Sequence, residues 1–138
     1  MEELKSEKLK IAYIGGDQST IGMLKEYPSF EITDFGNSIL FINWINNDNP
    51  VDGILCETHL PGTNGIDFHQ YLKHHNLVTQ VPFILVSRHE DEKIKISAIA
   101  NLVDDLYTTP LNPEHIEIRM RFLKEHKELL SSARIDTE

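Results

Sequence analysis

Four short segments of the chain collect the residue types that chemistry uses. Gly15-Gly16-Asp17 joins a flexible turn to a carboxylate. Glu57 heads a polar loop, Glu57 to Asn64, that also holds His59 and the Pro61-Gly62 turn. Ser87-Arg88-His89 supplies a hydroxyl, and Thr108-Thr109-Pro110 two more before a proline. Asp17 and Glu57 are the carboxylates of the first two segments. Gly15-Gly16 reads either as a tight turn or as a loop whose N–H groups cradle a phosphate at the next helix.

The other candidate motifs point to less. Neither GxxxxGK[ST] nor GxGxxG occurs, so the glycine pair lacks the context of a nucleotide loop. Ser19, Ser87 and Ser97 lie outside any G-x-S-x-G elbow, so a hydrolase triad is unsupported. His59, His69, His74 and His75 cluster without a zinc spacing and read as solvated helix histidines. Asp34-Phe35-Gly36 matches a kinase tripeptide in a chain too short for a kinase. Cys56 is the single cysteine, sits inside an apolar run, and reads as a packing residue of a reduced, cytoplasmic protein. No resident metal or cofactor is expected.

Each chemical segment follows a short apolar run. Leu9–Ile14, Val51–Cys56, Val81–Val86 and Leu106-Tyr107 read as strands, most of them buried, and Phe30–Phe35 alternates like a half-exposed one. Between them lie helical stretches at Ser19–Tyr27, Ile39–Asn47, Gly65–His75 and Glu90–Ala100. Ile66, Phe68, Tyr71 and Leu72 are expected on the inner side of the third. Pro113 opens a last helix to about Ser132. Strand and helix alternate five times, which predicts an α/β fold with a parallel five-stranded sheet covered on both faces. Right-handed crossovers make it a three-layer, doubly wound sandwich, whose crevice lies beyond the carboxyl ends of the strands. The four chemical segments are the loops at those ends.

The 138 residues fit one domain: a loose segment over 1–8, a folded unit over 9–127, and a helix extension or linker over 128–138. Hydrophobic residues at 40% and charged residues at 25% exclude a disordered chain. The charge, 13 − 22 = −9, disfavours nucleic acid and anionic membrane as partners.

The strand-end residues resemble the receiver (CheY-like) domains of response regulators, the regulatory modules of two-component phosphorelay signalling. Ile54-Leu55-Cys56-Glu57-Thr58-His59-Leu60-Pro61-Gly62-Thr63-Asn64-Gly65 is similar to their third strand and the loop that follows. Pro82-Phe83-Ile84-Leu85-Val86-Ser87 is similar to the fourth strand, and Asp104-Asp105-Leu106-Tyr107-Thr108-Thr109-Pro110-Leu111 to the fifth. The resemblance spans about residues 9 to 127. It implies a flavodoxin-like strand order 2-1-3-4-5, a cis peptide at Thr109-Pro110, and a protein partner or fused output domain.

Matched residue by residue, most of the family's active groups are replaced. The acidic pair falls on Gly15 and Gly16, with Asp17 beside them; the phospho-accepting Asp falls on Glu57; the hydroxyl is kept as Ser87; the Lys falls on Thr109, before Pro110. The aromatic switch position falls on Leu106, with Tyr107 displaced by one and so on the opposite face. A carboxylate one methylene too far out, about 1 Å, can slow a positioning-dependent reaction ~10²-fold. The lost Lys removes the cation that offsets phosphoryl charge. Glu57 then carries about one charge where phosphate carries ~1.5–2, a partial mimic or a retired carboxylate.

The leading expectation is a degenerate, phosphorylation-independent receiver working by protein contacts; the alternatives are a working phosphoreceiver with an altered site or a small nucleotide binder. Ser87 reads either as a site hydroxyl or as the cap of the helix near Glu90. In the last helix Ile116, Leu123 and Leu130 recur every seven residues beside Phe122 and Leu129, which predicts a stripe for a second copy.

Overall fold

The computed structural model describes residues 7–136. The chain runs β1 (Leu9–Ile14), α1 (Gln18–Lys25), β2 (Phe30–Phe35), α2 (Ser38–Ile45), β3 (Gly53–Glu57), β4 (His59–Leu60), β5 (Thr63–Asn64), α3 (Gly65–His74), β6 (Phe83–Ser87), α4 (Glu92–Ala100), β7 (Asp105–Thr108) and α5 (Pro113–Asp136). The main sheet is parallel with order β2-β1-β3-β6-β7, which is 2-1-3-4-5 when only its own strands are counted. The expected segment 1–8 falls mostly outside the described residues.

Alternate residues of the central strands feed two cores. Ile11 and Tyr13 of β1 join Leu55, Ile84, the α1 residues Ile21 and Leu24, and Ile116, Met120 and Leu123 of α5. Ala12 and Ile14 join Ile54, Cys56 and Leu85 with Phe41 of α2, Phe68 and Leu72 of α3, and Ala98 of α4. Two helices therefore cover one face and three the other. Burying each large apolar side chain contributes roughly 1.5–3 kcal/mol, and the central strands are apolar on both faces because both are covered.

Asp or Asn caps every helix. Asp17 accepts from the Thr20 N–H, Asn37 from Leu40, Asn64 from Asp67, Asp91 from Lys93 and Ile94, and Asn112 from Glu114 and His115. Such a cap is worth about 1 kcal/mol. Ser87 does not cap α4, because Asp91 sits at the correct offset. The loop after β3 is more ordered than its polar sequence suggests. Leu60 pairs with Thr63 across Pro61-Gly62, and Gly62 takes the φ of +76° that a type II turn requires. The Thr109–Pro110 peptide is cis.

Two expectations about helix faces are corrected. In α3 the buried residues are Gly65, Phe68, His69 and Leu72, while Tyr71 is 42% exposed. His69 is thus a core residue and not a solvated one. In α5, Ile116 and Leu123 face the domain's own core, so the expected Ile116–Leu123–Leu130 stripe does not exist as a free surface. The outward apolar residues are Ile118, Phe122 and Leu129, with Leu130 half exposed. As expected, Leu106 and Tyr107 face opposite cores.

Candidate functional site

Beyond the carboxyl ends of β1, β3 and β6 lies a cleft of about 310 Å³, whose lining includes Tyr13, Asp17, Glu57, Ser87, Arg88 and His89. The sheet register brings these together: Ile14 is level with Cys56, Glu57 with Val86, and Ser87 with Thr108. Three of the four segments singled out from sequence therefore contribute to the cleft, and the fourth, Thr108-Thr109-Pro110, stays outside its lining.

Glu57 is the centre. Its half-buried side chain folds back over the β1–α1 turn. Oε2 accepts from the Tyr13 hydroxyl at 2.8 Å and from the Asp17 N–H at 2.9 Å, and Oε1 accepts from the Gly16 N–H at 3.3 Å. Hydrogen bonds to an ionised acceptor are roughly twice as strong as neutral ones. A Cβ on Gly15 would collide with Glu57 Cδ, and Gly15 has φ +142°, so only glycine leaves room for this carboxylate. Gly65 plays a similar part below: its bare Cα lets α3 begin against the Glu57 carbonyl, where a Cβ would approach the oxygen to 2.6 Å.

Tyr13 carries a role that sequence reading missed. It was legible only as one residue of an apolar run, yet its ring is fully buried and its hydroxyl meets Glu57. A tyrosine deep in a strand needs a partner for its O–H, and that is the signal that could have found it. Burial, reinforced by Glu57, pushes the Tyr13 phenol well above its ordinary range, so it stays a donor.

Asp17 is turned away from Glu57. It caps α1, with Oδ2 accepting from the Thr20 hydroxyl at 2.8 Å, and that bond is the main reason its carboxyl sits below the usual range. Arg88 Nε stands 4.0 Å from Asp17 Oδ2 on an exposed side chain, a contact worth little. Ser87 Oγ donates to the His89 carbonyl at 2.7 Å and accepts from the His89 N–H, fixing the loop after β6. Thr109 and Pro110 lie outside the cleft lining; the Thr109 N–H instead ties β7 to the Ser87 carbonyl at 2.8 Å. Among the described residues no group of three or more His, Cys, Asp or Glu side chains is placed to hold a metal ion. The N–H groups that a phosphate cradle would use at Gly16 and Asp17 already donate to Glu57.

Comparison with known proteins agrees with this geometry. Residues 18–121 match the family model described as response regulator receiver domain. The chain is 28% identical over 95 residues to the phosphate regulon transcriptional regulatory protein PhoB of Escherichia coli, covering 69% of this chain and 40% of that protein. It is 26% identical over 116 residues to the cyclic di-GMP phosphodiesterase response regulator RpfG of Xanthomonas campestris, covering 80% and 30%. The chain thus spans well under half the length of these curated relatives. Among solved structures, the receiver domain of the Francisella response regulator 1452 superposes with TM-score 0.73 at 22% identity, over 86% of this chain and 98% of that one. The signal receiver domain of a LuxO-type repressor from Vibrio parahaemolyticus gives 0.76 at 15%, over 91% and 97%. Fold, strand-end loops and family match converge, and the chain belongs to the response regulator receiver domains.

Proposed function

We propose that this domain relays signals in a two-component pathway through protein contacts and without taking up phosphate. Glu57 stands at the acceptor position, Gly15, Gly16 and Asp17 at the acidic pocket, Ser87 at the switch hydroxyl, and Thr109 with Pro110 at the lysine position. The observation that carries the reading is the threefold anchoring of Glu57 by Tyr13, Gly16 and Asp17. A nucleophilic carboxylate must present a free oxygen to phosphorus, whereas both oxygens of this one accept hydrogen bonds from the protein's own donors. The Mg²⁺ that the family implies does not fit these residues. N–H and O–H donors converge on Glu57 where a cation would need acceptors, and Asp17 is engaged by Thr20.

Incubation with acetyl phosphate and Mg²⁺, followed by intact-mass measurement, tests the reading. The expected result is no adduct; a stoichiometric, hydroxylamine-labile gain of roughly 80 Da, one phosphoryl group, would overturn it.

The longer relatives carry names of transcriptional regulators and a phosphodiesterase, which supports a fused output domain or a protein partner in the cytoplasm. Ile118, Phe122 and Leu129 on the outer side of α5 support self-association there. Phe122→Glu is expected to shift a dimeric solution mass to monomer with the fold intact; an unchanged mass counts against that contact.

A further inference from the structure

A second cavity, of about 280 Å³, lies at the opposite end of the sheet, under the amino ends of β3 and β6. It is enclosed by α3, the turn after it, the turn before β7, and the far part of α5. Seven of its thirteen lining residues are apolar, Leu72 and Phe83 among them.

One wall residue is out of place among them. The His69 side chain is 7% exposed, its ring lies 4.7 Å from that of Phe83, and its Nδ1 is buried without a hydrogen-bond partner among the described residues. Such an orphan costs about 1–3 kcal/mol, and in folded proteins a bound group commonly resolves it.

The charges around it are unbalanced. Lys127 lies on the inward stripe of α5, four residues beyond buried Leu123, and pairs with Asp104 at 3.2 Å. The other Asp104 oxygen accepts from the Phe83 N–H at 2.7 Å, so each oxygen of this carboxylate has a partner. Lys73 also lines the cavity and makes no ion pair among the described residues. His69 adds no charge near neutral pH, because burial, aided by Lys73, holds it down at about 4. Two ammonium groups thus face one carboxylate, inside a chain whose net charge is −9. The rim is held in backbone conformations that side chains rarely adopt, with φ +45° at Val78 and +59° at Leu102. For a β-branched residue that is an outlier of the kind found at ligand clamps.

We propose that this cavity binds a small organic anion, a carboxylate on a short apolar or aromatic body, held by Lys73 and Lys127 with its body against Phe83 and Leu72. The volume of about 280 Å³ lies just below the usual range of ligand pockets, about 300–1,000 Å³, and suits a small ligand. Because Lys127 belongs to α5, occupancy is felt by the helix that runs on past the core.

Titration of the isotope-labelled 138-residue chain with sodium benzoate, against its neutral isostere benzamide, tests this by amide chemical shift. The expected result is saturable shifts at Lys73, Val78, Leu102 and Lys127 with Kd of about 1–10 mM, and at least about fivefold weaker binding of benzamide. Lys73→Gln, an exposed change, is expected to weaken benzoate by about fivefold and leave benzamide unaltered. His69→Phe fills the space and is expected to abolish both; if it fails to fold, Lys73→Gln decides alone. Absence of saturable shifts at about 50 mM benzoate, equal binding of benzamide, or shifts confined to Tyr13, Asp17 and Ser87 would each overturn the proposal.

Discussion

At the carboxyl ends of the strands a charged group is well supplied with partners; at the amino ends a neutral polar group has none among the described residues. Glu57 collects three donors from a single turn and one tyrosine, while His69 Nδ1 collects nothing among the described residues. The contrast teaches that a cleft in the expected place is not by itself a working site. The upper cleft is satisfied by the chain's own carboxylate, and satisfied groups have little to offer a ligand. The lower cavity keeps an unmet polar group and an unmatched cation, which is the condition that favours an outside partner.

The sharpest way to break the upper arrangement is Gly15→Ala. The new Cβ meets Glu57 Cδ and the backbone is in the left-handed region, so a loss of about 2–4 kcal/mol is expected in denaturant unfolding. The double variant Gly15→Ala, Glu57→Ala should recover at least about 1 kcal/mol relative to additivity, because the collision is gone. Strict additivity would mean that Gly15 does not depend on Glu57.

The lower cavity predicts a pH effect of the next size. The folded His69 titrates near 4 against an ordinary 6.5, so between those values the unfolded chain binds the extra proton. Stability from this group is therefore complete above about pH 6.5 and is lost as pH falls toward 4. The loss is on the order of 2 kcal/mol, and His69→Leu should remove that part of the acid sensitivity. At pH 7 the same variant should be neutral or stabilised by up to about 1 kcal/mol, since an orphaned polar atom goes with it. Identical pH profiles for both proteins would rule out a buried, neutral His69.

Tyr13→Phe sets the smallest expected change, about 1–2 kcal/mol, from one charge-assisted hydrogen bond lost at Glu57. A larger effect of His69→Leu than of Tyr13→Phe at pH 7 would reverse the comparison between the two ends.

Much of the scaffold was legible. The runs Leu9–Ile14, Val51–Cys56 and Val81–Val86 differ from observed strands only at their edges, because each is a short apolar block bounded by turn residues. That the loops after β1, β3 and β6 meet in one cleft followed from alternation alone. What failed was helical phase. In α3 the buried set, Gly65, Phe68, His69 and Leu72, is spaced i, i+3, i+4, i+7, but two of its members are not apolar. Reading hydrophobicity put Tyr71 on the stripe in place of His69, while Ile66 does pack against the core as expected. In α5 the inward spacing Ile116, Met120, Leu123 continues to Lys127, which a charged side chain likewise concealed. The Tyr13–Glu57 contact joins residues 44 positions apart, and nothing local announces it.

The Gly15–Glu57 overlap also constrains the order in which this pocket can be altered. Gly16 has open space around its Cα and accepts a side chain at any time. Gly15 does not: an acidic residue placed there while Glu57 remains has nowhere to go. Glu57 must first be shortened, after which the space over the turn opens. A route back to an acidic pocket is therefore directional. While Glu57 remains, a side chain at Gly15 meets the collision and the backbone strain together; once Glu57 is shortened it meets the strain of φ +142° alone, so the order of the two changes sets how much each costs.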